Sequence, residues 1–251
     1  MSALDRVILA LDGLALSQML TLISRVGKRV RGVKVHDAYD RNGPSVVEWL
    51  KHAGARSVWV DYKLHDTPDT VAKRAKAIAV SGADMLTVHI AGGRDMMVAA
   101  KDNFPGEVFG ISVLTSLDPR SVEFTFGRNV ALQVKIFAKM ADDASLHGVV
   151  CSPQEVAMLR QEGDLHRLKL VIPGTRSPGK STDDQARTDT PANAIRAGAT
   201  YLVIGRQVTQ AADPVAALDE LEAEIQAAHD ETMTTDPFIA KLRALGQESA
   251  Q

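Results

Sequence analysis

The chain reads as one (β/α)₈ barrel, and three observations carry that expectation. Roughly eight short apolar runs recur along its 251 residues, amphipathic segments separate most of them, and reactive side chains cluster at the ends of several runs. Strand then helix, repeated through the chain, is the pattern of a parallel barrel. A doubly wound open sheet would share the spacing. Functional groups at the C-terminal ends of several strands converge on one mouth in a barrel but spread out along an open sheet, which favours closure.

The first four runs are Arg6 to Asp12 (RVILALD), Gly32 to His36 (GVKVH), Ser57 to Lys63 (SVWVDYK) and Asp84 to Ile90 (DMLTVHI). Val108 to Leu114 (VFGISVL), His147 to Cys151 (HGVVC), Lys169 to Pro173 (KLVIP) and Tyr201 to Gly205 (YLVIG) complete the set. Strands covered on both faces read as such near-continuous apolar runs. Between them, LSQMLTLISRVG, PSVVEWLKHAG and TVAKRAKAIAVSG carry helical periodicity, with Gly27, Gly54 and Gly82 as helix stops. The helix DPVAALDELEAEIQAAH finishes the eighth unit, so residues 1–228 form the barrel domain. Residues 229–251 form a tail: a polar run, DETMTTD, then a short amphipathic helix, PFIAKLRALG, with Phe238, Ile239, Leu242 and Leu245 on one face. That face is expected to pack on its own protein or on a neighbouring subunit.

Composition narrows the function. With 29 basic and 31 acidic residues the net charge is −2, and no long block of Lys or Arg marks a nucleic-acid footprint. The single cysteine, Cys151, excludes an internal disulfide and a cysteine-based zinc cluster, and fits a reducing compartment. The N-terminus carries an acid before its apolar run and reaches Asp12 too soon for a signal peptide, and no stretch approaches a membrane span. A cytoplasmic protein follows. The seven histidines are scattered, without ligand-pair spacing, so no metal is expected.

The most informative stretch is Ser57 to Thr70, SVWVDYKLHDTPDT. It places Asp61 and Lys63 at the end of a strand, and the two-residue repeat of a strand points both to the same side. Asp66 follows at the turn into a helix opened by Pro68. An ordinary ion pair and a helix cap would account for these residues singly. Asp12 ending the first run, Lys34 in the second, Thr115 after the fifth and Gly205-Arg206 ending the eighth give them company at the same mouth. The loop PGTRSPGKSTDDQARTDTP after the seventh run is expected to be exposed and mobile, and loops after the seventh and eighth strands of barrels frequently hold phosphate. Arg176 and Arg206 would be its cations, with Gly205 allowing close backbone approach.

Gly174 to Ser181, GTRSPGKS, formally matches the phosphate-cradling P-loop pattern. A P-loop opens directly into a helix whose N-terminus faces the phosphates. Here the following residues lack apolar helical periodicity and meet Pro191, so a P-loop hydrolase is rejected.

Taken together, ALD at Ala10 to Asp12, VKV at Val33 to Val35, DYKLHDTPDT at Asp61 to Thr70, VLTS at Val113 to Ser116, PGTR at Pro173 to Arg176, DQ at Asp184-Gln185 and VIGRQVTQAADP at Val203 to Pro214 resemble the orotidine 5′-phosphate decarboxylase family. Each motif is weak alone, but their order and spacing from residue 6 to about 228 are specific. The resemblance implies conversion of orotidine 5′-monophosphate to UMP and CO₂ without metal or organic cofactor, in a homodimer with a shared active site. It implies catalytic roles for Lys34, Asp61 and Lys63, with Asp66 and Thr70 supplied by the other subunit. Asp12 and Lys34 would contact the ribose, Thr115 the pyrimidine, and Gln185, Gly205 and Arg206 the phosphate, with Arg176 on the same side. Thr67 and Asp69 depart from the usual D-I-P-N-T, VHDAYD follows Lys34 in place of the usual VG, PGTR replaces PGIR, and the tail is additional. Magnesium-dependent 3-keto sugar phosphate decarboxylases and aldolases share D-x-K-x-x-D but carry a carboxylate where Lys34 stands. A phosphosugar-binding barrel without turnover is the non-enzymatic alternative.

Overall fold

A computed structural model describes residues 2–178 and 189–235. The eight apolar runs become β1 (Val7–Ala10), β2 (Gly32–Val35), β3 (Val58–Leu64), β4 (Met85–His89), β5 (Glu107–Ile111), β6 (Gly148–Val150), β7 (Lys169–Ile172) and β8 (Tyr201–Ile204). They pair in parallel in chain order, and β8 returns to β1 to close the barrel. Closure decides against the open sheet. Several strands stop short of the run that announces them: β1 ends at Ala10 and β5 at Ile111, which releases Asp12, Val113 and Leu114 into the loops above.

The helices are α1 (Leu16–Val26), α2 (Asp37–Asn42), α3 (Ser45–Ala53), α4 (Pro68–Val80), α5 (Arg94–Asp102) and α6 (Pro119–Phe126). α7 (Val130–Asp143), α8 (Val156–Arg160), α9 (Pro191–Arg196), α10 (Arg206–Thr209) and α11 (Pro214–Thr235) follow. Helix starts follow local chemistry: Asp118 and Asn129 accept backbone N–H groups at the openings of α6 and α7, and Pro68, Pro119 and Pro191 occupy first turns. Gly54 ends α3 in a left-handed conformation, as a stop should. Gly27 differs. Its backbone stays right-handed, and a side chain there would sit 2.6 Å from Ile23 and 2.9 Å from the Gly54 carbonyl, so close packing requires the glycine.

Two buried layers result. The larger lies between strands and helices. The smaller, Ile8, Trp59, Met85, Phe109, Val171 and Val203, comes from alternating strand positions and fills the barrel axis. It makes a solid floor. At the other end of the chain, α11 runs through the polar DETMTT to Thr235 instead of stopping near His229, because no proline or glycine interrupts it before Pro237. The expected helix over Phe238 to Leu245 lies outside the described residues. Among those described, no helix is long and apolar enough to cross a membrane.

Candidate active site

Above the apolar floor, at the C-terminal ends of the strands, opens a cavity of about 610 Å³. Asp12, Lys34, Asp61, Lys63, Thr115, Arg176, Gly205 and Arg206 all line it. Trp59, Ile111, Val113, Leu114, Val150, Cys151 and Val203 supply apolar walls. A ligand there would meet charge on one side and hydrocarbon on another, as small-molecule sites commonly arrange.

The charged side is one continuous chain. Lys34 donates from Nζ to Asp12 Oδ2 at 2.6 Å and lies 3.3 Å from Asp61 Oδ2, while Lys63 Nζ donates to the same Oδ2 at 2.8 Å. Asp61 thus stands between two ammonium groups. Its other oxygen, Oδ1, accepts from the Thr87 hydroxyl at 2.7 Å. The Lys34 and Asp61 side chains are 9% and 8% exposed, whereas Lys63 is 34% exposed and reaches into the open space.

Backbone geometry produces that reach. Val60 pairs with Leu86 and Leu64 with Val88, so Asp61, Tyr62 and Lys63 stand opposite the single residue Thr87. β3 bulges there, and Lys63 adopts φ +47°, a left-handed conformation uncommon for a residue with a side chain. Such strain concentrates at functional sites. Two contacts hold the bulge: the Lys63 N–H donates to Thr87 Oγ1 at 3.1 Å, and Tyr62 donates to Asp40 of α2 at 2.5 Å. The period-two expectation that Asp61 and Lys63 lie together is met, through a bulge and not through a regular strand.

Electrostatics follow from this enclosure. Burial alone would raise the Asp61 carboxyl, but Lys34, Lys63 and the Thr87 hydrogen bond reverse this and bring its pKa down to about 2. Burial alone would strip the Lys34 proton, and the adjoining Asp61 and Asp12 overcome it, so Lys34 is held above its ordinary range. Both groups are charged at neutral pH. Behind Lys63, the rings of His65 and His89 lie 5.3 Å apart, and burial, then His65 and Lys63, hold His89 below the usual histidine range.

Beside the charged side, next to β1, Gly205 and Arg206 follow β8, and a side chain at Gly205 would meet only Ala10, at 3.9 Å, so the glycine leaves space on the cavity side. The base of the loop after β7 is tied down: Arg176 N–H donates to the Asp189 carbonyl at 2.9 Å, and Ser177 exchanges hydrogen bonds with the Gln207 side chain. The residues at which a P-loop helix would begin, Gly179 to Ser181, lie outside the described residues. Thr175 is buried.

Of the residues expected at the site, Asp66 and Thr70 are not brought to the cavity within this chain. Asp66 is exposed and accepts the Thr67 N–H at 2.7 Å; Thr70 shares a 3.1 Å hydrogen bond with the Thr67 hydroxyl. Gln185 lies outside the described residues. The departures at Thr67 and Asp69 make local contacts only, Asp69 pairing with Lys73 along α4. Thr87 was missed. Its signal was present, since in DMLTVHI it shares the inward face with Met85, a polar residue beside the D-x-K strand.

A closed parallel barrel with a lysine–carboxylate chain at its C-terminal mouth defines a barrel of the enzyme type, with a charged small-molecule cavity where such barrels place their active sites. The model for the Orotidine 5′-phosphate decarboxylase / HUMPS family matches residues 5–221, and the chain belongs to that family. Orotidine 5′-phosphate decarboxylase of Moorella thermoacetica is 41% identical over 239 residues, covering 90% of this chain and 94% of the relative. That of Chromohalobacter salexigens is 41% identical over 226 residues, covering 87% and 95%. The crystal structure of the Lactobacillus acidophilus enzyme superposes with a TM-score of 0.74 at 32% identity, covering 88% of this chain and 99% of the other.

Proposed function

We propose that this protein decarboxylates orotidine 5′-monophosphate to UMP and CO₂, a step of pyrimidine nucleotide synthesis, with Lys63 as the proton donor. The observation that carries the reading is a lysine fixed by a buried carboxylate and projecting into a cavity. Loss of CO₂ from C6 leaves an electron pair in the plane of the ring, where delocalisation is poor. Catalysis of so slow a reaction must remove a large share of the roughly 8–23 kcal/mol that enzymes supply, mostly by stabilising the transition state selectively. An ammonium held beside C6 favours the growing negative charge and then delivers the proton that replaces CO₂. Asp61 holds that ammonium and aims it. Lys34, paired with Asp12, balances the acids and orients the ribose. The two carboxylates already share this lysine, which argues against a divalent cation between them and hence against the magnesium-dependent sugar phosphate reading.

Thr115 would contact the pyrimidine, and Arg206, Gly205, Arg176 and Gln185 the phosphate. Binding energy from the phosphate, remote from C6, helps order the site and exclude water. Asp66 and Thr70 would reach the cavity of a second copy, making a homodimer with shared sites; the exposed Asp66 and the half-buried Thr70 at the start of α4 suit that role. The protein would act in the cytoplasm.

The direct test follows loss of orotidine 5′-monophosphate absorbance with purified protein in excess EDTA. Turnover is expected; UMP binding without turnover would leave a binding barrel, and activity only with added Mg²⁺ would favour the sugar phosphate class. Mixing inactive Lys63→Ala and Asp66→Asn variants should restore activity through hybrid dimers. No recovery despite subunit exchange would refute the shared site.

A further inference from the structure

We propose that Thr87 is a positioning residue, whose single hydroxyl locks the Asp61 carboxylate and the Lys63 backbone into one geometry and thereby aims the Lys63 ammonium. The proposal rests on the reading of Lys63 as proton donor and adds a residue to it.

The argument begins with the ladder. Three residues of β3 face one of β4, so the bulge takes the Lys63 N–H out of the regular strand pairing. A buried N–H left unpaired is costly, and here the Thr87 oxygen accepts it at 3.1 Å. An amide N–H can only donate and an ionised carboxylate can only accept. The hydroxyl must therefore receive from Lys63 and give its own proton to Asp61 Oδ1, at 2.7 Å. Its polarity is fixed from both ends. Thr87 is fully buried on a strand, and its branched side chain restricts the first rotamer, so the anchor is stiff as well as directional.

Asp61 is consequently held on both oxygens, Oδ1 by Thr87 and Oδ2 by the lysines. It cannot turn without breaking one set. On the far side of the bulge, Tyr62 is tied to Asp40 and packs edge-on against Tyr39 with ring centroids 5.2 Å apart. The residue carrying the ammonium is thus clamped through its backbone by Thr87 and through its preceding neighbour by Tyr62. Loss of the Thr87 hydroxyl frees the first clamp and leaves the cavity walls intact, since Thr87 does not line the cavity.

The test compares Thr87→Val, Thr87→Ser and Thr87→Ala with the wild type. Thr87→Val keeps the shape and loses the hydroxyl; kcat should fall about 10–100-fold, the size of a small misalignment of reacting groups, with the Kd for UMP within about twofold. Thr87→Ser keeps the hydroxyl and should stay within about threefold of the wild-type kcat. A readout independent of substrate is hydrogen exchange at the Lys63 amide, expected to accelerate at least about tenfold in Thr87→Val and to stay slow in Thr87→Ser. If Thr87→Val does not fold, the Ser and Ala variants carry the same contrast. Equal kcat in the hydroxyl-bearing and hydroxyl-free variants overturns the proposal, as does an unchanged Lys63 amide. A wild type without decarboxylase activity would refute the proposed function, while the amide exchange would still decide the Thr87 anchor.

Discussion

The barrel carries an acid flanked by two cations at each end, and the two ends use that device differently. At the C-terminal mouth Asp61 stands between Lys34 and Lys63. At the opposite end Glu107 of β5 pairs with Lys169 of β7, Arg31 lies 3.7 Å away, and both cations sit 5.7 Å from the Tyr201 ring. There the ladder is regular: β4 and β5 pair residue for residue from Met85 to His89, and none of the three charged residues has left-handed backbone. The mouth adds a cavity, a bulge and a strained lysine. Charge clustering alone therefore does not identify a site. Displacement of one charge from its ladder into open space does.

The sharpest way to break this comparison is Lys63→Ala. It should lower kcat by about 10²–10⁴-fold or more while UMP affinity and the thermal midpoint change little, measured by absorbance decay, calorimetric binding and circular dichroism. Comparable turnover would remove the distinction between the ends. Next, Arg206→Ala should reduce kcat/KM about 10²-fold, chiefly through KM, if its proposed partner is the phosphate, remote from C6.

Smaller effects concern stability. Asp61 has a folded pKa of about 2, below the ordinary value of 3.8, so its contribution is complete above about pH 4 and is lost as pH falls through 2. The shift corresponds to roughly 2 kcal/mol. Urea unfolding between pH 5 and 2 should show that slope in the wild type and lose it in Asp61→Asn; identical slopes would place the acid sensitivity elsewhere. Glu107→Gln, at the other end, should cost about 1–2 kcal/mol in a urea series at pH 7, a modest value for partly exposed and screened charges, and leave kcat within about twofold. A large loss of kcat there would show that the two ends are coupled.

Much of the architecture was legible in the sequence, because a strand buried on both faces must be apolar throughout, as Val58 to Val60 and Leu202 to Ile204 are. The site was legible where chemistry overrides packing: Asp61 and Lys63 are expensive to place at a strand end unless they act together. Three features were hidden for physical reasons. Threonine is an ordinary strand former, so Thr87 looks like filler until its neighbours are known. Left-handed backbone is announced by glycine or asparagine, and Lys63 is neither. The helix α2, directly after Lys34, holds Tyr62 through Asp40, a contact set by tertiary packing that no local periodicity encodes.

The surplus of β3 over β4 also constrains how such a mouth could arise. From Val60 to Leu64 is four steps, against two from Leu86 to Val88, and all four residues belong to the same outer apolar layer. An even excess preserves parity. Deletion of one residue would turn Leu64 inward and invert the end of the strand, whereas deletion of two would restore an unbroken ladder and erase the reactive lip. Gain or loss of this pocket without collapse of the scaffold is accordingly a paired event, invisible to any scan of single deletions.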